Sequence, residues 1–179
     1  VLDDDDVDAV YIPLPPSMHK EWTVKAAERG KHVLCEKPLA LDAEEAREMA
    51  AACRANRVQL MDGMMWVHHP RAADMHIPIS DGALGELRRV TSAFTFNWDV
   101  IPENDLRLSR NLGGGSLLDL GWYCVRATLW AFSDMPVRVY GTAKYYNDVD
   151  LSFSGTMWFE GDRVASFDCG FNNGMRKWL

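Results

Sequence analysis

The chain has 179 residues, 47% of them hydrophobic, and a formal net charge of -7. That is apolar material for a substantial core in one domain or parts of two. The acidic balance excludes the basic face that a nucleic-acid-binding protein carries. Cys35, Cys53, Cys124 and Cys169 are widely spaced with no C-x-x-C pair. That excludes a zinc or disulfide framework and predicts reduced thiols in a cytoplasmic enzyme. No apolar run approaches the ~20 residues of a membrane helix. The chain starts at Val1 and opens almost directly on a strand, so a truncated chain is expected, with any targeting signal lying outside it.

In chain order, Asp3 to Asp6 reads as a solvated turn, and Val7 to Pro13 as a buried strand bounded by Asp and Pro. Ser17 as N-cap and Gly30 as C′ residue predict a helix over 17–29. His32 to Glu36 is the next strand. Asp42-x-x-Glu45 resembles a capping box, and Ala46, Met49, Ala50 and Cys53 behind it fall on one helix face. Val58 to Met65 predicts a third strand. Strand, helix, strand, helix, strand predicts a parallel sheet with right-handed crossovers.

The pattern changes after Trp66. His69-Pro70 opens a short helix expected to end before Pro78, and Leu87 to Asn97 alternates like a strand. Gly113-Gly114-Gly115 precedes a helix from about Ser116 to Ala131. Strands follow over Val137 to Tyr146, Val149 to Phe159 and Arg163 to Phe171. Consecutive strands without helices between them predict an antiparallel or mixed sheet. The fold class is therefore α/β. A partial parallel-sheet domain over 1–66 is followed by an α+β domain over 67–179 that the chain's end cuts in mid-fold.

Two places carry chemistry. Glu36-Lys37-Pro38 puts a lysine at the carboxyl end of a buried strand, where ligands bind in open α/β sheets. On the glycine-led helix, Leu118, Trp122, Val125 and Leu129 form an apolar stripe, while Asp119, Tyr123 and Ala127 share a neighbouring face. Gly121 leaves room there for a close approach. A structural alternative competes: a helical Asp that pairs with an arginine, and a core Tyr with a satisfied hydroxyl. His68, His69 and His76 fit no common ligand spacing, so no metal site is expected. Met61, Met64 and Met65 read as core filler, and Trp22 and Trp130 as packing residues.

Pro15-x-x-x-His19, Glu36-Lys37-Pro38 and Gly114-Gly115-x-x-x-Asp119-x-Gly121-x-Tyr123 occur in that order. Together they resemble the Gfo/Idh/MocA oxidoreductases. The tyrosine form of the last motif is similar to glucose–fructose oxidoreductase and dimeric dihydrodiol dehydrogenase. The segments Val10 to Pro15 and Met61 to Pro70 look closest to a plant-type branch of uncharacterised oxidoreductases. The resemblance implies the C-terminal half of a Rossmann-type parallel sheet binding NAD or NADP, then a domain with a large open, mostly antiparallel sheet. The G-x-G-x-x-G pyrophosphate turn of such a domain is not in 1–179.

Carried over by the resemblance, Lys37 is the active-site lysine, Tyr123 the acid/base and Asp119 its partner. Leu14, Pro15, Pro16 and His19 form the loop near the nicotinamide ribose. Glu36 and Lys37 complete that side, and Trp66 takes a cofactor-side position where many members have arginine. Leu14 and Pro16 stand where Thr and Asn are commoner, so only backbone contacts remain there. The chemistry is coherent: alcohol oxidation needs a base for the hydroxyl proton while hydride leaves carbon. A phenol has a pKa of ~10, which a neighbouring lysine cation lowers. The substrate class implied is a sugar, polyol or diol, and the assembly a homodimer through the C-terminal sheet. Two other functions exist on the same fold, a non-catalytic sensor and an NAD-dependent glycoside hydrolase. Retention of Lys37, Asp119 and Tyr123 together argues against the sensor.

Overall fold

The computed structural model describes residues 1–178. Two compact units divide it, Val1–Met64 with Asn111–Gly113, and Met65–Arg110 with the segment from Gly114 on.

In the first unit, β1 (Ala9–Ile12), β2 (His32–Cys35) and β3 (Leu60–Asp62) form a parallel sheet in that order, with α1 (Pro16–Glu28) and α2 (Ala43–Ala55) as the connections. The register runs Ala9 to His32 through Ile12 to Cys35, then Val33 to Leu60 through Cys35 to Asp62. Helix α1 starts one residue before the expected position. Pro15 is its N-cap and Pro16 its first residue, so Ser17 is already inside and caps nothing. Proline's locked φ suits the first helical position, whose N–H has no helical partner anyway. Gly30 follows the C-cap at φ +72, the left-handed conformation glycine adopts cheaply. Asp42 caps α2, accepting from the N–H groups of Glu44 and Glu45 at 2.9 Å each, while Glu45 Oε2 reaches back to Leu41 N–H at 3.2 Å.

The third strand is shorter than the Val58 to Met65 expected. The Val58 N–H goes to Cys53 O at 3.0 Å, closing the helix end, and Met65–His68 forms a 3₁₀ turn. Ile12, Ala26, Val33, Cys35, Ala40 and Met49 make this unit's core. Of the three methionines expected as filler only Met64 is buried, and Met61 and Met65 are exposed.

The second unit holds α3 (Pro70–Ser80), β4 (Arg89–Asn97), α4 (Trp122–Phe132), β5 (Arg138–Tyr146), β6 (Val149–Trp158), β7 (Val164–Gly170) and β8 (Asn172–Trp178). The sheet order is β5-β6-β7-β4-β8. Its pairings are antiparallel except β4 with β7, which is parallel. Helix α3 does not stop before Pro78. It runs on to Ser80, because bonds such as Asp81 N–H to Ile77 O (2.9 Å) carry the end while Ile79 packs on the core. Strand β8 was not foreseen, since Asn172-Asn173-Gly174 reads as a turn.

The glycine-led helix is not uniform. Leu117–Gly121 forms a π-helical turn that runs into α4. The wider turn adds a residue and rotates the downstream side chains by about 100° relative to a plain α-helix. The buried face is Leu120, Cys124, Ala127 and Ala131. The expected stripe of Leu118, Trp122, Val125 and Leu129 is only half-buried. Leu120 and Cys124 pack with Phe167, Cys169 and Phe171 of the sheet side. Among the described residues no helix is long and apolar enough to cross a membrane.

Candidate active site

In the first unit the candidate residues gather where β1 and β2 end. Leu14, Pro15 and Pro16 form the loop after β1, and Glu36, Lys37 and Pro38 the loop after β2. His19 on α1 ties the two loops. It is fully buried, with Nδ1 2.9 Å from Pro38 O and Nε2 2.7 Å from Leu14 O. Both of its ring nitrogens are thus committed inside the protein. Glu36 is held from both sides. Tyr11 donates its hydroxyl to Oε1 at 2.9 Å, and Lys37 N–H donates to Oε2 at 3.0 Å. The hydrogen bond to Glu36 pushes the Tyr11 phenol above its ordinary pKa. At position 63 a Cβ would lie 3.1 Å from Glu36 Cα, a tight approach that glycine avoids. The Lys37–Pro38 peptide is cis, and Lys37 is half-buried.

In the second unit the site is the π-helical turn. Asp119 on that turn and Tyr123 at the start of α4 are both half-buried. The Tyr123 ring meets Phe94 of β4 edge-on, with centroids 5.3 Å apart. Asp119 Oδ2 accepts from Arg107 Nε at 2.9 Å, and Arg107 Nη1 lies 3.2 Å from both oxygens of Asp105. At the start of the turn, Asp150 of β6 accepts from Ser116 Oγ and Leu117 N–H, each at 2.7 Å. A carboxylate at the opening of a helical turn satisfies orphan N–H groups and complements their partial positive charge. Gly115 sits at φ +117, and a Cβ there would run into Asp150.

Asp105, Arg107 and Asp150 were not found from the sequence. The one signal was an isolated acidic residue between Val149 and Leu151 of a strand. Arg107 and its partner Asp119 are twelve residues apart and share no element. The structural alternative, an Asp paired with an arginine, therefore describes Asp119's contact correctly. Trp66, assigned to the cofactor side by resemblance, lies in the second unit against Trp130, with centroids 5.4 Å apart. Trp130 also meets His76 at 5.0 Å. A groove of about 560 Å³ runs there, lined among others by His76, Ile77, Arg126 and Ser133. It follows the C-terminal half of α4, whereas Asp119 and Tyr123 stand at the N-terminal end. No group of three His, Cys, Asp or Glu residues able to hold a metal occurs among the described residues.

The first unit's loops fit one end of a dinucleotide. They lie at the carboxyl ends of neighbouring parallel strands, where Rossmann-type sheets bind their ligand. Leu14, Pro15 and Pro16 offer it apolar surface and backbone carbonyls but no side-chain donor.

A model described as "Oxidoreductase family, NAD-binding Rossmann fold" matches residues 1–64, and one described as "GFO/IDH/MocA C-terminal domain" matches 74–178. A dTDP-3,4-didehydro-2,6-dideoxy-alpha-D-glucose 3-reductase from Saccharopolyspora spinosa is 38% identical over 96% of this chain and 52% of its own length. The D-xylose 1-dehydrogenase (NADP(+)) 2 of Haloferax volcanii is also 38% identical, over 96% of this chain and 53% of its own. Among solved structures, a 3-ketoreductase from Actinomadura kijaniata in complex with NADP and TDP-benzene superposes with a TM-score of 0.89. It is 32% identical, over 98% of this chain and 54% of that one. The chain spans about half the length of the curated relatives it matches. Matched along both its units, the chain belongs to the GFO/IDH/MocA oxidoreductase family.

Proposed function

We propose that this chain is part of an NAD(P)-dependent oxidoreductase. The reaction moves hydride between the nicotinamide and a hydroxyl or carbonyl carbon of a sugar, polyol or diol. The observation that carries this reading is a lysine at the carboxyl end of β2 in a chain that also presents a carboxylate on the π-helical turn and a phenol on the first turn of α4 that continues it. The sugar-directed names of the relatives support the substrate class. In this reading Lys37 polarises the substrate oxygen, Tyr123 takes or returns its proton, and Asp119 orders the polar side of the site. The cofactor, NAD or NADP, supplies or accepts the hydride when bound. Leu14, Pro15, Pro16, Glu36 and Lys37 line its nicotinamide end, with Trp66 as a further contact. His19 acts indirectly, by holding the loops after β1 and β2 together.

Residues 1–66 serve as the dinucleotide domain and 67–179 as the substrate and assembly domain. The protein is a cytoplasmic homodimer that pairs through the C-terminal sheet. Four free, buried cysteines support a reducing compartment. Val139, Tyr140, Tyr145 and Tyr146, all exposed on edge strand β5, support the pairing. A monomeric mass by light scattering on the complete protein contradicts it.

The test of activity is nicotinamide absorbance, followed while the complete protein meets a panel of sugars and diols with each cofactor. Stoichiometric release of reduced cofactor is expected. Glycoside cleavage without release makes the protein a hydrolase, and binding without either reaction makes it a sensor. Lys37→Ala is expected to lower turnover by roughly two to four orders of magnitude.

A further inference from the structure

We infer that Arg107 is a positioning residue for the candidate acid/base turn, fixing the Asp119 carboxylate and the start of the π-helical segment together. The inference rests on the oxidoreductase reading of Asp119 and Tyr123. Arg107 grips the segment through both its backbone and its side chain. Its backbone carbonyl accepts from Gly115 N–H at 2.8 Å, and its guanidinium Nε donates to Asp119 Oδ2 at 2.9 Å. Asp119 N–H in turn donates to Gly115 O at 3.1 Å. These contacts close a ring of backbone and side chain around one turn: Arg107 to Gly115, Gly115 to Asp119, and Asp119 back to Arg107.

The ring leaves no slack for a side chain at its start. A Cβ on Gly114 would lie 2.5 Å from the Arg107 carbonyl oxygen. Arg107 is itself fixed from behind, since Asp105 accepts from its N–H at 2.8 Å and faces Nη1 with both oxygens. Partial burial works against the guanidinium charge, but Asp119 and then Asp105 outweigh it and push its pKa above the ordinary value. The charge is therefore permanent at any working pH. The planar fork holds the two carboxylates in fixed directions, Nε toward Asp119 and Nη1 toward Asp105, which a freely rotating ammonium does not fix. Arg107 braces the chain where it enters the π-helical turn. Without it, the carboxylate beside the phenol loses its fixed direction, and a misplacement of about 1 Å at a reacting group is enough to cost turnover.

The experiment compares Arg107→Ala, Arg107→Lys, Asp119→Asn and the double variant Arg107→Ala/Asp119→Asn with wild type, in the complete protein. It reads kcat, KM and thermal unfolding. Arg107→Ala is expected to lower kcat about ten- to a hundredfold, the usual size for a group that orients a site residue. KM should move by less than about threefold, because the loss falls on the reacting geometry. Guanidinium ion at low millimolar concentration should restore part of the loss, and sodium chloride at equal ionic strength should not. The double variant should match Asp119→Asn within about twofold, as expected of residues acting as one unit. Arg107→Lys should fold and remain slow. The inference is overturned if Arg107→Ala keeps wild-type turnover per folded molecule while its unfolding temperature falls, or if the losses from Arg107→Ala and Asp119→Asn multiply. Should Arg107→Ala not fold, Arg107→Lys is judged by the same criteria. A wild-type protein without nicotinamide-linked turnover removes the oxidoreductase reading and this inference with it. An active wild type with unaffected Arg107 variants removes this inference alone.

Discussion

The two units hold their candidate residues in different ways. In the first, Lys37 and its neighbours sit on short loops that continue directly from β1 and β2, and the braces are local to that sheet. His19 bonds the carbonyls of Leu14 and Pro38, and Glu36 accepts from Tyr11 and from the next residue's N–H. In the second, Asp119 stands on a π-helical turn and Tyr123 on the first turn of the α-helix that continues it. Asp150 on β6 and Asp105, acting through Arg107, brace the π-helical turn from outside the helix. Sheet register sets where the strand ends place their loops and short side-chain braces complete the positioning, whereas the irregular turn depends on braces from outside its own helix. The second arrangement should be the more fragile, and a substitution in either unit should be felt mainly in that unit.

The largest loss of stability is expected at Gly115→Ala. The new Cβ meets Asp150, and φ +117 disfavours any residue with a side chain. Backbone strain plus a displaced cap should cost on the order of 3 kcal/mol. Hydrogen exchange should quicken at Ser116 to Gly121 and along β6 while the first unit keeps its protection. Equal loosening of both units would break the comparison. His19→Leu should cost less, about 2 kcal/mol, by removing the ring that links the Leu14 and Pro38 carbonyls and leaving a buried oxygen without its N–H donor. Its effect should appear in the loops after β1 and β2, and faster exchange confined to α4 would contradict the assignment.

A smaller effect should treat the two units alike. Burial pushes the thiol of Cys35, in the first unit, and that of Cys169, in the second, up to about 12. Both values lie above the ordinary 9.0. Below about pH 9 both states keep the proton and stability is unaffected. As pH rises from there toward about 12, the unfolded chain ionises first, so stability is progressively lost. Unfolding midpoints measured on either side of about pH 9 should show this decline, and Cys35→Ala should flatten it. An unchanged slope in that variant would show that other groups carry the alkaline loss.

The same contrast explains what could be read from the sequence. Strands β1 and β2, the Asp42 cap and the Gly30 terminus follow from local propensity. So does the location of Lys37, because the end of an apolar strand is marked by its own residues. Asp119 and Tyr123 were found as residue types, but their surroundings were not. A π-helical turn has no local composition that sets it apart from an α-helix, and the stripe that faces the core, Leu120, Cys124, Ala127 and Ala131 rather than the more apolar Leu118, Trp122, Val125 and Leu129, is selected by packing against the sheet. Arg107 and Asp150 act across the chain, and only the folded sheet brings Asp150 to Ser116. Strand β8 escaped because its pairing with β4 overrides the turn propensity of Asn172-Asn173-Gly174.

The most direct test of the central claim is turnover of Tyr123→Phe in the complete protein, with nicotinamide absorbance and thermal unfolding recorded on the same sample. The substitution removes the hydroxyl and keeps the ring that meets Phe94. The account predicts a loss of roughly two to four orders of magnitude in turnover at an unchanged unfolding temperature. Wild-type turnover in Tyr123→Phe would contradict it and remove the phenol from the chemistry.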